Sequence, residues 1–230
     1  MRTSLRRKSV PHRSAPPTAA ATAILDVAEQ LAQTRGYNGF SYADIAVQLG
    51  VTKASLHYHF PTKAELGCAL IQRYHTLFGE ALRAIDQRTK DPCEKLRQYV
   101  ELYTSVLSNE RMCLCGMLAA EYATLPAPMQ QGLTLFFDAN ERWLAAVLQD
   151  GLRVGSLLFR ELSMERARVL LGGLEGAMMM ARSYGNARRF QAAAAYMLAD
   201  LGVGRRTRQH SGSGSAAKRG RPPGVGPPRK

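Results

Sequence analysis

The sequence predicts an all-α protein. Apolar residues recur at spacings of three and four through most of the chain, whereas the β-branched residues that favour strands are scattered. Glycine and proline interrupt the pattern at intervals, as expected between helices. With 230 residues, 46% of them apolar, the chain is long enough to bury a hydrophobic core, which excludes disorder of the whole chain.

The excess basic charge is concentrated at the two ends of the chain. The net charge is +13, yet residues 18–201 contain 18 basic and 18 acidic side chains. Residues 1–17 hold five basic residues and no acidic one, and residues 202–230 hold eight and none. Proline in the first segment, and a Ser-Gly run followed by prolines in the second, predict a disordered basic arm and a disordered basic tail.

Neither a membrane segment nor a metal site is expected. No apolar run approaches the roughly 18 residues that cross a bilayer, and no apolar core follows the basic N-terminus as in a signal peptide. We therefore expect a cytoplasmic protein with no membrane contact. The four cysteines, Cys68, Cys93, Cys113 and Cys115, match neither a disulfide framework nor a zinc site, and we expect free thiols and no cofactor.

Residues 18–66 are predicted to form short helices with recognisable ends. A first helix over residues 18–35 ends at Gly36. Ser41, with Asp44 three residues later, has the spacing of a capping box for a second helix that ends at Gly50.

A third helix is predicted over residues 54–59. Thr52 is its cap, and Pro61 ends it because proline disfavours helical backbone in the residue before it. Thr62, three residues before Glu65, starts a fourth helix. The remaining helical body, residues 67–201, has expected breaks at residues 91–92, 126–128, 151–156 and 184–186.

The helix predicted over residues 163–184 is apolar on two faces, so it needs two neighbours. One face suits the core of its own chain, and the second consists of Val169, Gly172, Gly173, Gly176 and Met180. Apolar residues also recur on the last helix, at Phe190, Ala194, Met197, Leu198 and Leu201. We predict a homodimer in which these two helices from each copy form a four-helix interface.

Residues 41–60 have the pattern of a helix-turn-helix. Ala46 is small where two helices cross, and Gly50 permits the left-handed backbone of the turn. The positions where the helices dock are apolar, namely Ile45, Leu49, Val51 and Leu56. A generic αα-hairpin has the same pattern, so these residues alone leave both a DNA-binding motif and a structural hairpin open.

The segment FSYADIAVQLGVTKASLHYHFPTKAEL resembles the N-terminal domain of TetR/AcrR transcriptional repressors, and the resemblance spans about residues 18–66. It implies an N-terminal three-helix DNA-binding domain with a helix-turn-helix, followed by a C-terminal helical domain for ligand binding and dimerisation over residues 67–201. The resemblance also implies a dimer that represses by binding a palindromic double-stranded DNA operator and that a small-molecule effector releases.

The resemblance places the exposed side of the third helix in the major groove of DNA. Lys53 and Tyr58 are expected mostly at phosphates, and Ser55 and His57 at base edges, whereas His59 has the alternative of packing inward. Lys63 is included because a helix N-terminus favours a phosphate. The predicted DNA-binding residues in this domain are Ser41, Tyr42, Thr52, Lys53, Ser55, His57, Tyr58, His59 and Lys63.

The C-terminal tail contains a second possible DNA-binding motif. Residues 218–223, KRGRPP, resemble the AT-hook, an element that lays arginine side chains in the narrow minor groove of A·T-rich DNA. Arg219 and Arg221 are the predicted contacts. The alternative is a basic, proline-rich tail that its charge keeps soluble.

Residues 111–122, RMCLCGMLAAEY, resemble the segment of a TetR subgroup in which a cysteine senses electrophiles or small unsaturated acids. On one helix Cys113 and Cys115 would point about 200° apart, so they could not both face one cavity. A reactive thiol would need a lowered pKa, for which Arg111 and the helix start are candidates, and the alternative is a buried, inert thiol. The predicted effector-binding residues are Tyr103, Cys113, Cys115, Met117, Glu121, Phe137 and Trp143.

Two other functions compete with a repressor. An enzyme is not supported, because residues 171–176, LGGLEG, lie in a helical run and lack the strand and turn of a phosphate-binding loop. An architectural protein would bind DNA through its basic tails and use the body only to dimerise. It would bind most A·T-rich DNA alike and lose affinity steeply with salt, whereas a repressor keeps a preference of about 10³ or more for its operator.

Overall fold

A computed structural model describes residues 18–204, and this part of the chain is helical with no strand. The helices are α1 (Ala19–Arg35), α2 (Tyr42–Leu49), α3 (Lys53–His59), α4 (Lys63–Arg88), α5 (Pro92–Ser108), α6 (Leu114–Ala120), α7 (Ala127–Arg153), α8 (Ser163–Ser183) and α9 (Ala187–Asp200). The all-α prediction is confirmed. The predicted N-terminal arm and the tail contacts Arg219 and Arg221 lie outside the described residues.

The predicted capping boxes are present. The Ser41 main-chain N–H donates to the Asp44 carboxylate at 2.8 Å at the start of α2. Thr62 and Glu65 form the same pair at the start of α4, with the N–H and the carboxylate oxygen 3.0 Å apart. Gly50 ends α2 with a φ of 66°, in the left-handed region that glycine adopts at little cost.

Helices α1, α2 and α3 form a small N-terminal domain around an apolar core. Ile45 of α2 and Leu56 of α3 are fully buried, and Ala46 is buried beside them. Leu49 is only partly buried, and Val51 is 41% exposed, so the prediction that Val51 docks the two helices is wrong. The turn after Gly50 carries Val51 to the surface of the domain.

Helices α4 to α9 form the larger C-terminal domain, in which α8 packs against α7 and α9, and α4 packs against α7. Aromatic side chains fill its centre. The Phe78 ring lies 5.3 Å from Phe136 and 6.1 Å from both Tyr99 and Tyr103, between ring centroids. Within residues 18–204, no helix is long and apolar enough to cross a membrane.

The last two helices present a different outer face from the predicted one. Val169 and Met180 of α8 are 63% and 54% exposed, as the second stripe predicts. On α9, however, the residues predicted for the interface point mainly into their own protomer: Phe190, Ala194, Leu198 and Leu201 are buried, and Met197 is partly buried. The outward aromatic residue of α9 is Tyr196, which is 78% exposed.

The connection between α5 and α6 is a break that the sequence pattern does not reveal. Asn109 follows the last residue of α5, and Glu110 has a φ of 58°, a left-handed conformation that is uncommon outside glycine. Helix α6 begins only at Leu114. Residues 111–113 are therefore a connection, and Cys113 and Cys115 do not lie on one continuous helix.

Candidate DNA-binding surface and ligand-binding core

The exposed face of α3 carries polar and aromatic side chains. Lys53, Ser55 and His57 are exposed, and Tyr58 is 84% exposed. Thr52 caps the helix through its hydroxyl oxygen, which accepts the Ser55 N–H at 3.3 Å. A short helix with such a face and a buried Leu56 behind it has the shape of a DNA-reading element.

The two histidines of α3 differ in environment. The His57 ring lies 4.7 Å from the Tyr42 ring, and its Nδ1 is 3.0 Å from the Pro61 carbonyl oxygen. The rest of the His57 side chain stays at the surface. His59 is partly buried, and its ring meets Tyr58 edge-on at 5.1 Å, so neither histidine is enclosed in the core.

Tyr42, predicted as a DNA contact, is engaged within its own domain. The side chain is 7% exposed, and its hydroxyl donates to the Phe60 carbonyl oxygen at 2.7 Å. Burial raises the pKa of Tyr42 to about 12. Its hydroxyl thus holds the end of α3 to the start of α2.

Lys63, predicted as a phosphate contact, also bonds within its own domain. Its ammonium group donates to the main-chain carbonyls of Tyr37 and Phe40. The same group lies over the two aromatic rings, 4.5 Å from the Tyr37 centroid and 4.4 Å from the Phe40 centroid. Burial lowers the pKa of Lys63. The lysine fixes the loop between α1 and α2, because one side chain bonds both ends of that loop.

The two cysteines of the predicted sensor segment are buried in the C-terminal domain. Cys113 immediately precedes α6, and Cys115 lies in its first turn. The Tyr74 hydroxyl lies 3.6 Å from the Cys113 sulfur. Burial raises the pKa of both thiols well above the usual value, so neither has the lowered pKa that a reactive thiol needs, and their environment is that of the buried, inert alternative.

Glu175 of α8 is the functional candidate that sequence analysis missed. Both carboxylate oxygens are sealed from solvent, beside the Cys113 thiol and the Tyr103 hydroxyl, yet neither has a hydrogen-bond partner of acceptable geometry among residues 18–204. Burial raises the pKa of Glu175 to about 7, against smaller opposing effects of Cys113 and Tyr103. A Cβ at Gly116 would collide with the carboxylate, so glycine makes room for it.

The other predicted effector residues divide into two groups. Tyr103 is buried and faces the Tyr99 hydroxyl at 3.3 Å, in the same polar cluster as Glu175. Met117, Phe137 and Trp143 are partly buried around the core. Trp143 stacks on Tyr99 with a centroid distance of 5.5 Å, and its indole N–H is bonded to Asp86, which gives it a structural role.

Glu121, predicted as an effector ligand, joins the two domains. Its carboxylate accepts the main-chain N–H groups of Tyr37, at 2.6 Å, and of Asn38, at 3.2 Å. Both donors lie in the loop that follows α1. The acid therefore ties the connection after α6 to the DNA-binding domain.

A second junction links α8 to α1. The Arg182 guanidinium donates to the Gln33 carbonyl at 2.9 Å and also to the Thr34 carbonyl. The Met112 N–H donates to the same Gln33 carbonyl at 3.2 Å. Movement of α8 or of the α5–α6 connection is thereby coupled to the end of α1.

The sequence and the fold are both similar to those of known proteins. Residues 24–69 match the model of the bacterial regulatory proteins of the tetR family. A TetR-family transcriptional regulator from Agrobacterium tumefaciens is 32% identical, with a TM-score of 0.77 over 80% of this chain and 97% of its own. A TetR transcriptional regulator from Legionella pneumophila is 31% identical, with a TM-score of 0.71 over 78% and 95% of the two chains.

The curated relatives include the transcriptional regulator AcuR of Cereibacter sphaeroides, which is 27% identical over 155 residues, 64% of this chain and 69% of that protein. Together with the short, exposed α3 of the N-terminal domain, these matches define a helix-turn-helix transcription factor. The chain belongs to the TetR family and is a DNA-binding transcriptional regulator.

Proposed function

We propose that the protein is a ligand-responsive repressor that binds a palindromic operator as a homodimer. The observation that carries the proposal is the exposed face of α3 on the DNA-binding head (residues 18–66), where Lys53, Ser55 and Tyr58 are exposed. As a transcriptional regulator, it acts in the cytoplasm. The family match supports DNA binding, and the remaining properties are argued below from the geometry.

The reading surface that we propose is smaller than the predicted set. Lys53 and Tyr58 contact phosphates, and Ser55 and the outer edge of His57 face bases in the major groove. Ser41 and Thr52 are exposed caps at the two helix starts, where they meet the DNA backbone.

The dimer uses the exposed face of α8. Gly172 and Gly176 lie there between Val169 and Met180, and a Cβ on either glycine would meet nothing within 4 Å in the protomer. Such an open, apolar stripe suits close approach of the same helix from a second copy. Tyr196, which is exposed on the neighbouring helix α9, is the aromatic side chain that we assign to the same interface.

The buried cluster around Glu175 is the proposed effector site. A buried carboxylate without a partner is costly, and a bound molecule that offers a hydrogen-bond donor removes that cost. The hydroxyls of Tyr74 and Tyr103 and the thiol of Cys113 complete a polar patch inside an aromatic core. This composition suits a small molecule with an apolar body and one polar end.

Release from DNA follows from the connections between the domains. Helix α4 begins at the head and continues into the core, where Tyr74 and Phe78 contact Phe136. An effector that shifts these aromatic residues tilts α4, and the two heads of the dimer no longer match half-sites about 34 Å apart. About 2.7 kcal/mol of preference for the released state changes occupancy a hundredfold.

We assign the functional units as residues 18–66 for DNA reading and 67–201 for ligand binding and dimerisation. The arm (1–17) and the tail (202–230) add non-specific attraction to DNA through their positive charge, with Arg219 and Arg221 at A·T-rich minor grooves.

The proposal is tested by selecting DNA from a random pool with the full chain. We expect an inverted repeat whose half-sites are one helical turn apart, bound about 10³-fold or more tightly than non-specific DNA at physiological salt. The competing architectural function predicts enrichment of A·T-rich DNA without symmetry. That second outcome would overturn the repressor proposal.

A further inference from the structure

A cavity of about 440 Å³ lies at the C-terminal end of α5, between the α5–α6 connection and the start of α9. Leu107, Ala181 and Ala187 contribute apolar surface to its wall, and the side chains of Arg111 and Arg182 border it as well. The cavity is separate from the buried cluster described above and opens to solvent.

The cavity has an excess of positive charge. It contains two arginines and one acidic residue, Glu110, which is exposed. None of the three takes part in an ion pair within the part of the chain that the structure describes. Helix α9, 14 residues long, begins at the cavity wall, and its N-terminal N–H groups add to the positive potential.

Arg182 has a second partner outside the cavity. As described above, its guanidinium caps the last turn of α1 through the carbonyls of Gln33 and Thr34. One side chain therefore borders the cavity and holds the DNA-binding domain. A molecule that binds this guanidinium in the cavity competes directly with the contact between the domains.

We propose that this cavity binds a small organic anion, a carboxylate with a short apolar body, and that the bound carboxylate withdraws Arg182 from α1. The inference rests on the proposed ligand response. It adds a second ligand site to the Glu175 cluster, and it states the chemistry of the ligand and how its binding affects the DNA-binding head. A carboxylate accepts two parallel N–H bonds from a guanidinium and is a stronger acceptor than the neutral carbonyls that it replaces. The apolar body lies against Leu107 and the two alanines.

The first test measures binding without DNA. The full chain is titrated by calorimetry with benzoate and hexanoate, and with benzamide and hexanamide as neutral isosteres. We expect each carboxylate to bind at least tenfold more tightly than its amide, and Arg111→Met, which removes one of the two guanidinium groups of the cavity, to weaken this preference. Arg153→Met, which removes an exposed arginine at the end of α7 that pairs with Asp150, is the charge-matched control and keeps the preference.

The second test measures the coupling. Operator selected from the random pool should bind at least fivefold more weakly at saturating carboxylate, and by reciprocity operator should weaken carboxylate binding by the same factor. Arg182→Lys keeps a positive charge at the cavity but lacks the planar fork that donates to two carbonyls. This variant should retain the preference for carboxylates and lose most of the effect on operator.

The outcomes separate the two proposals. Equal binding of carboxylates and amides, or a preference that is unchanged in Arg111→Met, overturns the anion site. A preference without any change in operator affinity overturns the role of Arg182 in coupling. Failure to select an operator would remove the proposed repressor function, while the calorimetric result would still decide whether the cavity binds anions.

Discussion

The carboxylate of Glu121 accepts the main-chain N–H of Tyr37 at 2.6 Å and thereby joins the connection after α6 to the loop after α1. The contact is tight, since a Cβ at the adjacent Gly36 would lie 2.8 Å from a Glu121 oxygen. Glycine at this position, with a φ of 83°, therefore ends α1 and also leaves space for the Glu121 carboxylate.

Removing this acid should loosen the junction. Glu121→Ala leaves two main-chain donors without their acceptor, and we expect a loss of about 1 to 2 kcal/mol in the free energy of unfolding, because the site is partly exposed. Urea unfolding measures the change. Thr124→Ala, which removes a neutral acceptor from the exposed Asn38 side chain, is the control and should cost less. Equal losses in the two variants would contradict a special role of Glu121.

Glu175 should make stability depend on pH. Its pKa in the folded protein is about 7, above the ordinary value of 4.5, so the folded state binds the proton more tightly than the unfolded state. Stability therefore falls as pH rises from about 4.5 to about 7, by an amount on the order of 3 kcal/mol, and levels off above. Glu175→Gln should remove this decline in unfolding experiments at pH 5 and pH 8. Glu101→Gln, at an exposed site on α5, should keep it, and a decline that persists in Glu175→Gln would refute the assignment.

Tyr42 should affect stability and leave electrostatic binding to DNA unchanged. Tyr42→Phe removes the hydroxyl that donates to Phe60 but keeps the buried ring, and we expect a loss of about 0.5 to 1.5 kcal/mol in stability. The affinity for DNA should stay at the wild-type value. Lys53→Ala, on the exposed face of α3, should instead weaken binding and reduce the slope of log affinity against log salt by about one charge. Weaker binding of all DNA sequences by folded Tyr42→Phe would restore the phosphate contact predicted from the sequence.

Gly176 tests the dimer face. Leucine at this site meets nothing in the protomer but would hold apart two α8 helices that approach closely. We expect Gly176→Leu to sediment as a folded monomer at micromolar concentration, with the helical content of the wild type. Glu101→Leu places the same leucine side chain at an exposed site on α5 and should stay dimeric. A dimeric Gly176→Leu protein would place the interface elsewhere.

Local rules predicted much of the DNA-binding head. Ser41 with Asp44, and Thr62 with Glu65, gave the starts of α2 and α4 because a capping box depends on residues only three apart. Gly50 gave the end of α2 for the same local reason. The roles of Tyr42 and Lys63 were not predictable in this way, since their partners belong to other elements.

The ligand-binding core depends on contacts between distant segments, which sequence spacing does not report. Glu175 stands in an apolar helical run, and an acid at such a position was the available signal of a buried polar site. The break at Glu110 has no glycine or proline to mark it, so Cys113 and Cys115 were placed on one helix. The inward orientation of Phe190 on α9 likewise depends on how α8 and α9 pack together.

The most direct test of the account asks whether the head or the tails read DNA. Operator affinity and preference over non-specific DNA are measured for two variants of the full chain, Ser55→Ala with Tyr58→Ala in the head, and Arg219→Gln with Arg221→Gln in the tail. The account predicts that the head variant loses most of the preference for operator, whereas the tail variant keeps the preference and loses only salt-sensitive affinity. The reverse result, an intact preference in the head variant and a lost preference in the tail variant, would contradict it.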